Sequence, residues 1–235
     1  MDTPKPTLWE VQLKQQIRRR YDRLASADGA IKTTYENAID AGYPAEWLDH
    51  VPPKLQALYS GCGFLWKQVK PDEISVSVDL GSGAGFDSYI AKNVLAWKRV
   101  ISVDLAPIMS RSAKKFDCEV ITGDIERLPL PNGLADTVFG NASFNLAADK
   151  RKAFAEAFRI LKPGGQLRLR DLVLENDLPP EVREDPLAFN TSLGGAVEED
   201  AWRQAMEYAG FCNITFSDHR PFSYVISTLI QAKRR

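Results

Sequence analysis

The chain has 235 residues, 44% of them hydrophobic, which is long for one domain and short for two. Lys and Arg number 30 against 31 Asp and Glu, a net charge of −1, which argues against the basic face that a nucleic-acid partner requires. Three cysteines, Cys62, Cys118 and Cys212, show neither C-x-x-C nor zinc-ligand spacing, so no metal site is expected and a reducing compartment fits.

The opening MDTPKPTLWEVQLKQQIRRR has no apolar signal core, and no stretch reaches transmembrane length; the reading is a cytoplasmic protein without a membrane partner. Leu13, Ile17, Tyr21 and Leu24 fall on one face at helical spacing, and Gly42-Tyr43-Pro44 and Pro52-Pro53 break the next stretch into short helices. No strand signal occurs here, so residues 1–70 are predicted to form a helical cap and 71–235 the main domain.

From Ile74 the pattern changes. Ile74 to Leu80 reads as a strand ending in GSGAGFD, with a helix from Asp87 to Leu95. RVISVD is a second strand before a helix at Ile108–Phe116, CEVITGD a third and DTVFGNASF a fourth. Phe154, Ala157, Phe158 and Leu161 are the buried stripe of a helix closed by Lys162-Pro163-Gly164-Gly165, and GGQLRLRDLVLE is a fifth strand. Strands alternating with helices predict a parallel sheet covered on both faces. Residues 175–195 form a candidate lid. Trp202, Ala205, Met206 and Ala209 mark a last helix. Phe211–Phe216 and Tyr224–Ile230, joined by a turn containing Pro221, predict a terminal antiparallel hairpin.

The segment Asp79-Leu80-Gly81-Ser82-Gly83-Ala84-Gly85 lies where a strand turns into a helix, a geometry that brings backbone close to a ligand. A dinucleotide loop wants G-x-G-x-x-G, but Phe86 follows Gly85, and Asp79 would repel a pyrophosphate. The carboxylate suits the ammonium of a methionyl group, so S-adenosylmethionine (SAM) is favoured over NAD. Asp104 ends the second strand, where an acid accepts ribose hydroxyls, and Gly123-Asp124-Ile125 ends the third, beside an adenine. Acids at three successive strand ends weigh far more than a glycine-rich loop alone.

VDLGSGAGFD, VISVDLAP, TGDIERLPLP and FRILKPGG resemble the successive motifs of class I SAM-dependent methyltransferases, from about Val51 to the C-terminus. The resemblance implies a Rossmann-like, mostly parallel seven-stranded sheet whose last two strands are the hairpin. It implies a cofactor site of Asp79, Gly81, Gly83, Asp104, Asp124, Ile125 and Asn141, with Ser82, Gly85 and Leu105 beside them, and S-adenosyl-L-homocysteine as product. YSGCGF, GNASFNLAADK and SLGGA are similar to arsenite methyltransferases, which hold trivalent arsenic with thiolates. Cys62 matches one family cysteine; the other two positions hold Ala142 and Ser192.

Methyl transfer needs alignment and water exclusion, and for some acceptors a base. The candidates on the acceptor side are Cys62, Asn141, Ser143, Arg170 and His50, with Tyr59 and Phe64 as pocket walls. Cys118 and Cys212 open strands away from the ligand edge, and His219 belongs to the hairpin turn. Arg168 and Arg170 alternate with leucines on a strand expected to be buried. A buried arginine wants an anion, supplied either by the acceptor or by the helical cap. The leading expectation is methylation of a small molecule other than arsenite. The alternatives are arsenic or another soft centre held by Cys62, and a SAM-binding protein without turnover.

Overall fold

The computed structural model describes residues 6–26, 38–69, 76–183 and 193–235. The predicted strand start at Ile74, Tyr35, Lys70, Ser192 and the middle of the candidate lid lie outside them.

Helix α1 (Leu8–Ser26) opens with a reciprocal cap: Thr7 N donates to Glu10 Oε2 at 2.6 Å, and Glu10 N donates to Thr7 Oγ1 at 3.2 Å. Its Leu13, Ile17 and Leu24 are buried, as the spacing predicts, and Tyr21 packs half-buried beside them. Two single-turn helices come next, α2 (Ala45–Leu48) and α3 (Pro53–Gln56), and both begin at the prolines.

The sheet contains β1 (Ser77–Leu80), β2 (Val100–Asp104), β3 (Glu119–Thr122), β4 (Ala135–Asn141), β5 (Leu161–Leu174), β6 (Val197–Glu198), β7 (Phe211–Phe222) and β8 (Val225–Arg234). Its order is β3-β2-β1-β4-β5-β8-β7, with β1 to β5 parallel and β8 and β7 antiparallel. The seven expected strands are present, with the antiparallel hairpin at the end of the sheet. The two-residue β6, paired in parallel with the far end of β5, is an eighth strand that the sequence pattern did not reveal. Every residue of β1 is buried, as expected of a central strand covered on both faces, whereas edge strand β3 is partly exposed.

Helices α4 (Phe86–Asn93), α5 (Pro107–Lys114), α6 (Lys150–Ile160), α7 (Pro180–Arg183) and α8 (Glu199–Ala209) complete the fold. One core joins the cap, α4 and α5 to one face of the sheet; a second packs α6 and α8 on the other.

Three expectations are corrected. Leu161 is not the end of the helical stripe: α6 stops at Ile160, Leu161 turns extended and pairs with Ala135, and Lys162-Pro163-Gly164-Gly165 bulges within β5. Pro221 is not in the hairpin turn. It pairs with Ile226 on the outermost strand, where a missing N–H costs no ladder bond, and Ser223–Tyr224 make the turn. His219 therefore sits within β7, its Nδ1 3.1 Å from Thr228 Oγ1. The fourth strand ends at Asn141, because Ala142 takes a left-handed φ of 54° before the short 3-10 turn Phe144–Leu146.

Candidate functional site

The carboxyl ends of β1, β2, β3 and β4 open into one cleft, as a parallel sheet of this order requires. One end is lined by Gly81, Gly83, Asp104, Leu105, Asp124 and Ile125, and roofed by Lys14, Ile17 and Tyr21 of α1. The other end is lined by Tyr59, Ser60, Asp79, Ser82, Asp87 and Asn141. Gly81, Gly83, Ser60 and Asn141 face both ends, which makes the cleft continuous.

The glycine turn depends on close approach. A Cβ on Gly81, at φ +78°, would sit 2.3 Å from Ser143 Cβ. Gly85 serves differently from expectation: it does not line the cleft. At φ 87° it caps α4, and a Cβ there would meet Cys118 Sγ at 2.8 Å. Cys118 thus reaches the underside of this turn, which corrects its expected place at the remote end of the strand.

Asp104 is held by two main-chain donors, Gly83 N at 2.8 Å and Ala106 N at 2.7 Å. Burial pushes its carboxyl up to about 6 despite them. Asp79 accepts from Ser88 Oγ at 2.6 Å, and burial with the neighbouring Asp87 drives it well above the usual carboxylate range. Among the described residues, no lysine or arginine pairs with Asp79, Asp87 or Asp104. Asp124 does have a partner: Lys14 Nζ reaches Asp124 Oδ2 and Glu126 Oε2, both at 2.7 Å, and so ties α1 across the mouth.

Asp87 is the site residue that the motif analysis missed. Its carboxylate accepts from Tyr43 OH at 2.6 Å, Trp66 Nε1 at 2.8 Å and Asn141 Nδ2 at 3.0 Å, and burial lifts it to about 6. The only local signal was its place after the glycine turn, which reads as an ordinary first-turn acid; its donors lie 44, 21 and 54 residues away in sequence. Lys14 and Glu126 were equally silent. Asn141 works as a tie: its Oδ1 accepts from Cys62 N at 2.9 Å and its Nδ2 also reaches Gly63 O at 3.0 Å, which joins β4 to the cap.

The acceptor-side candidates scatter. Ser143 lines the cleft, its buried Oγ without a hydrogen-bond partner. Cys62 is fully buried, donates to Arg170 O at 3.3 Å, and burial pushes its thiol up to about 12. Arg170 is spent internally, on Asp218 Oδ2 and the Asp218 carbonyl at 2.9 Å and on Ser227 Oγ at 2.7 Å, so its anion comes from β7 and not from an acceptor or the cap. Arg168 does turn to the cap, but to the carbonyls of Leu65 and Lys67. His50 is exposed beyond α2 and is not among the residues that line the cleft, which argues against it as a base. Of the expected walls, Tyr59 lines the cleft, whereas Phe64 packs edge-on against Tyr43 and Trp47. Cys212 lies on β7 with its thiol toward Lys233 O.

A cationic nucleoside fits this donor set. Uncompensated buried carboxyls at Asp79 and Asp87 suit an ammonium, Asp104 suits ribose hydroxyls, and Ser82 Oγ and Ser143 Oγ are buried polar atoms that still lack partners. Fold and cleft together define a class I, Rossmann-like methyltransferase. The chain belongs to the methyltransferase-domain family, which matches residues 72–210, and is a SAM-dependent enzyme of that kind. It is 28% identical to an arsenite methyltransferase of Aquipseudomonas alcaligenes, over 93% of this chain and 68% of that protein. It is 34% identical to one from Halobacterium salinarum, over 57% of this chain and 36% of the relative's length. An arsenic(III) S-adenosylmethionine methyltransferase from Chlamydomonas reinhardtii has the same fold, with a TM-score of 0.70 at 24% identity, covering 80% of this chain and 72% of that one. Among the described residues, no helix is long and apolar enough to cross a membrane.

Proposed function

We propose that this enzyme methylates a small organic acceptor and does not hold trivalent arsenic through a set of thiolates. The carrying observation is the surroundings of Cys62. It packs in an apolar cluster with Ala142, Leu172, Ala196, Phe222 and Val225, and these neighbours offer no second sulfur. A thiol held near 12 stays protonated at neutral pH, and it is the thiolate that ligates soft centres. Cys118 lies beneath the glycine turn and Cys212 on β7, so neither can complete a set. Similarity to arsenite methyltransferases favours the other reading, and the thiol count weighs against it.

SAM, when bound, supplies a methyl on a cationic sulfur that departs as a neutral thioether. The protein's work is placement and exclusion of water. Asp79 and Asp87 would hold the amino-acid end and Asp104 the sugar, while α1 roofs the adenosine end through Lys14. Asp171 holds the wall of the cleft, accepting from Phe144 N at 2.8 Å and Ser143 N at 3.2 Å.

The test is homocysteine-nucleoside release from SAM with arsenite and excess thiol. Wild type should show no arsenite-dependent turnover, and the A142C/S192C double variant should gain it. Turnover by wild type at rates comparable with that variant would overturn the proposal.

A further inference from the structure

Beyond the cofactor cleft, a second open groove of about 670 Å³ runs between the start of α1, the start of α6 and the Gly194-Gly195 segment before β6. It meets the cofactor cleft at Ala147, which lines both. Two cations face it, Lys150 and Arg151. Neither has an ion-pair partner among the described residues. Lys150 Nζ makes one hydrogen bond, to Asn145 O at 3.1 Å, and lies 5.9 Å from the Trp202 ring centroid. The Arg151 guanidinium lies over Tyr208.

The acids nearby are already engaged. Glu10 pairs with Lys152 at 3.1 Å; Asp149 Oδ1 caps α6 on Arg151 N and Lys152 N. Glu126 takes Lys14 and two main-chain donors, and Asp171 takes three. Burial accordingly pushes the Lys150 ammonium down to about 8, against the partial compensation of Asp171, Glu126 and Asp149. A half-buried ammonium with that little compensation favours an anion.

We propose that this groove is the acceptor's entrance, and that Lys150, with Arg151 at the rim, binds a carboxylate on the acceptor. The anchored end rests on α6 while the reactive end passes Ala147 and Leu146 toward Ser143. This rests on the methyltransferase reading above and adds the acceptor's chemical class.

The test uses full-length protein saturated with S-adenosylhomocysteine and three carboxylates of different shape: 4-hydroxybenzoate, 3-phenylpropionate and octanoate, each beside its neutral amide. Calorimetry should show at least one acid binding ~10-fold or more tighter than its amide, as a desolvated charge pair allows. Lys150→Met, which keeps the stem on Trp202, should abolish that preference, and Lys150→Arg should retain it. S-adenosylhomocysteine affinity should be the same in all three proteins, which shows that the fold and the cofactor site survive. Equal binding of acids and amides, no binding of any acid, or an undiminished preference in Lys150→Met would each overturn the acceptor assignment. Failure of wild type to bind S-adenosylhomocysteine would instead strike the methyltransferase reading.

Discussion

The two ends of the catalytic region are built on opposite principles. Around the glycine turn, charge is left uncompensated: Asp79, Asp87 and Asp104 accept hydrogen bonds but carry no counter-cation among the described residues, and Ser82 Oγ and Ser143 Oγ have no hydrogen-bond partner. Around Cys62, the polar groups are satisfied: the thiol meets Arg170 O, and the guanidinium of Arg170 is consumed by Asp218 and Ser227. An interior that leaves buried polar groups unpaired forgoes stability, and it does so where a ligand will complete the set. On the proposed reading, the satisfied side is scaffold.

The largest effect expected from this contrast is on Asp104→Ala. Removing the acid frees two buried main-chain donors and deletes the proposed ribose acceptor, so SAM affinity should fall on the order of 100-fold by calorimetry. A loss below threefold would break the proposal that the acids without counter-cations form the cofactor site.

Next comes the response to pH. Asp87 and Asp104 rise to about 6 in the folded protein, above the ordinary 3.8. Folding therefore favours their protonated forms. The stabilisation is full below about pH 4 and is lost as pH rises through about 6, worth on the order of 1 kcal/mol per pKa unit before relaxation. The apo protein should melt at lower temperature at pH 7.5 than at pH 5.5. The stabilisation given by bound SAM should grow over the same interval, because a cationic ligand needs the carboxylates ionised. A SAM-induced shift that shrinks as pH rises would contradict the pairing of these acids with the ligand's charge.

The smallest effect is expected on the scaffold side. Cys62→Ala trims one buried atom from an apolar cluster and should cost about 1 kcal/mol in urea unfolding. SAM affinity should stay within twofold of wild type. Loss of cofactor binding in a still-folded variant would place Cys62 in the site after all.

The cofactor half was legible because its chemistry is local. Asp79 through Gly83 sit on one turn, and Asp104 and Asp124 each end a strand whose alternation with helices announces a parallel sheet. Knowing the sheet order is then enough to bring strand ends together. Gly85 misled for the same reason, since a motif position does not say whether a glycine faces the ligand or the helix behind it. On the acceptor side, His50 and Arg170 read as chemical groups because of their type alone. Only their surroundings, open solvent for one and Asp218 for the other, argue against them.

By itself, the sequence determined the alternation of the main strands and helices, the helical character of the N-terminal stretch, the glycine turn and the acids at the strand ends, because periodicity and turn chemistry act over a few residues. Tertiary structure alone decided that Lys14 closes over Asp124, that Asp87 gathers Tyr43, Trp66 and Asn141, and that Cys62 and Arg170 face inward and paired. Those outcomes depend on burial and on partners dozens of residues away. The charge state and availability of a side chain are set by what surrounds it in space, and adjacency along the chain does not specify that environment.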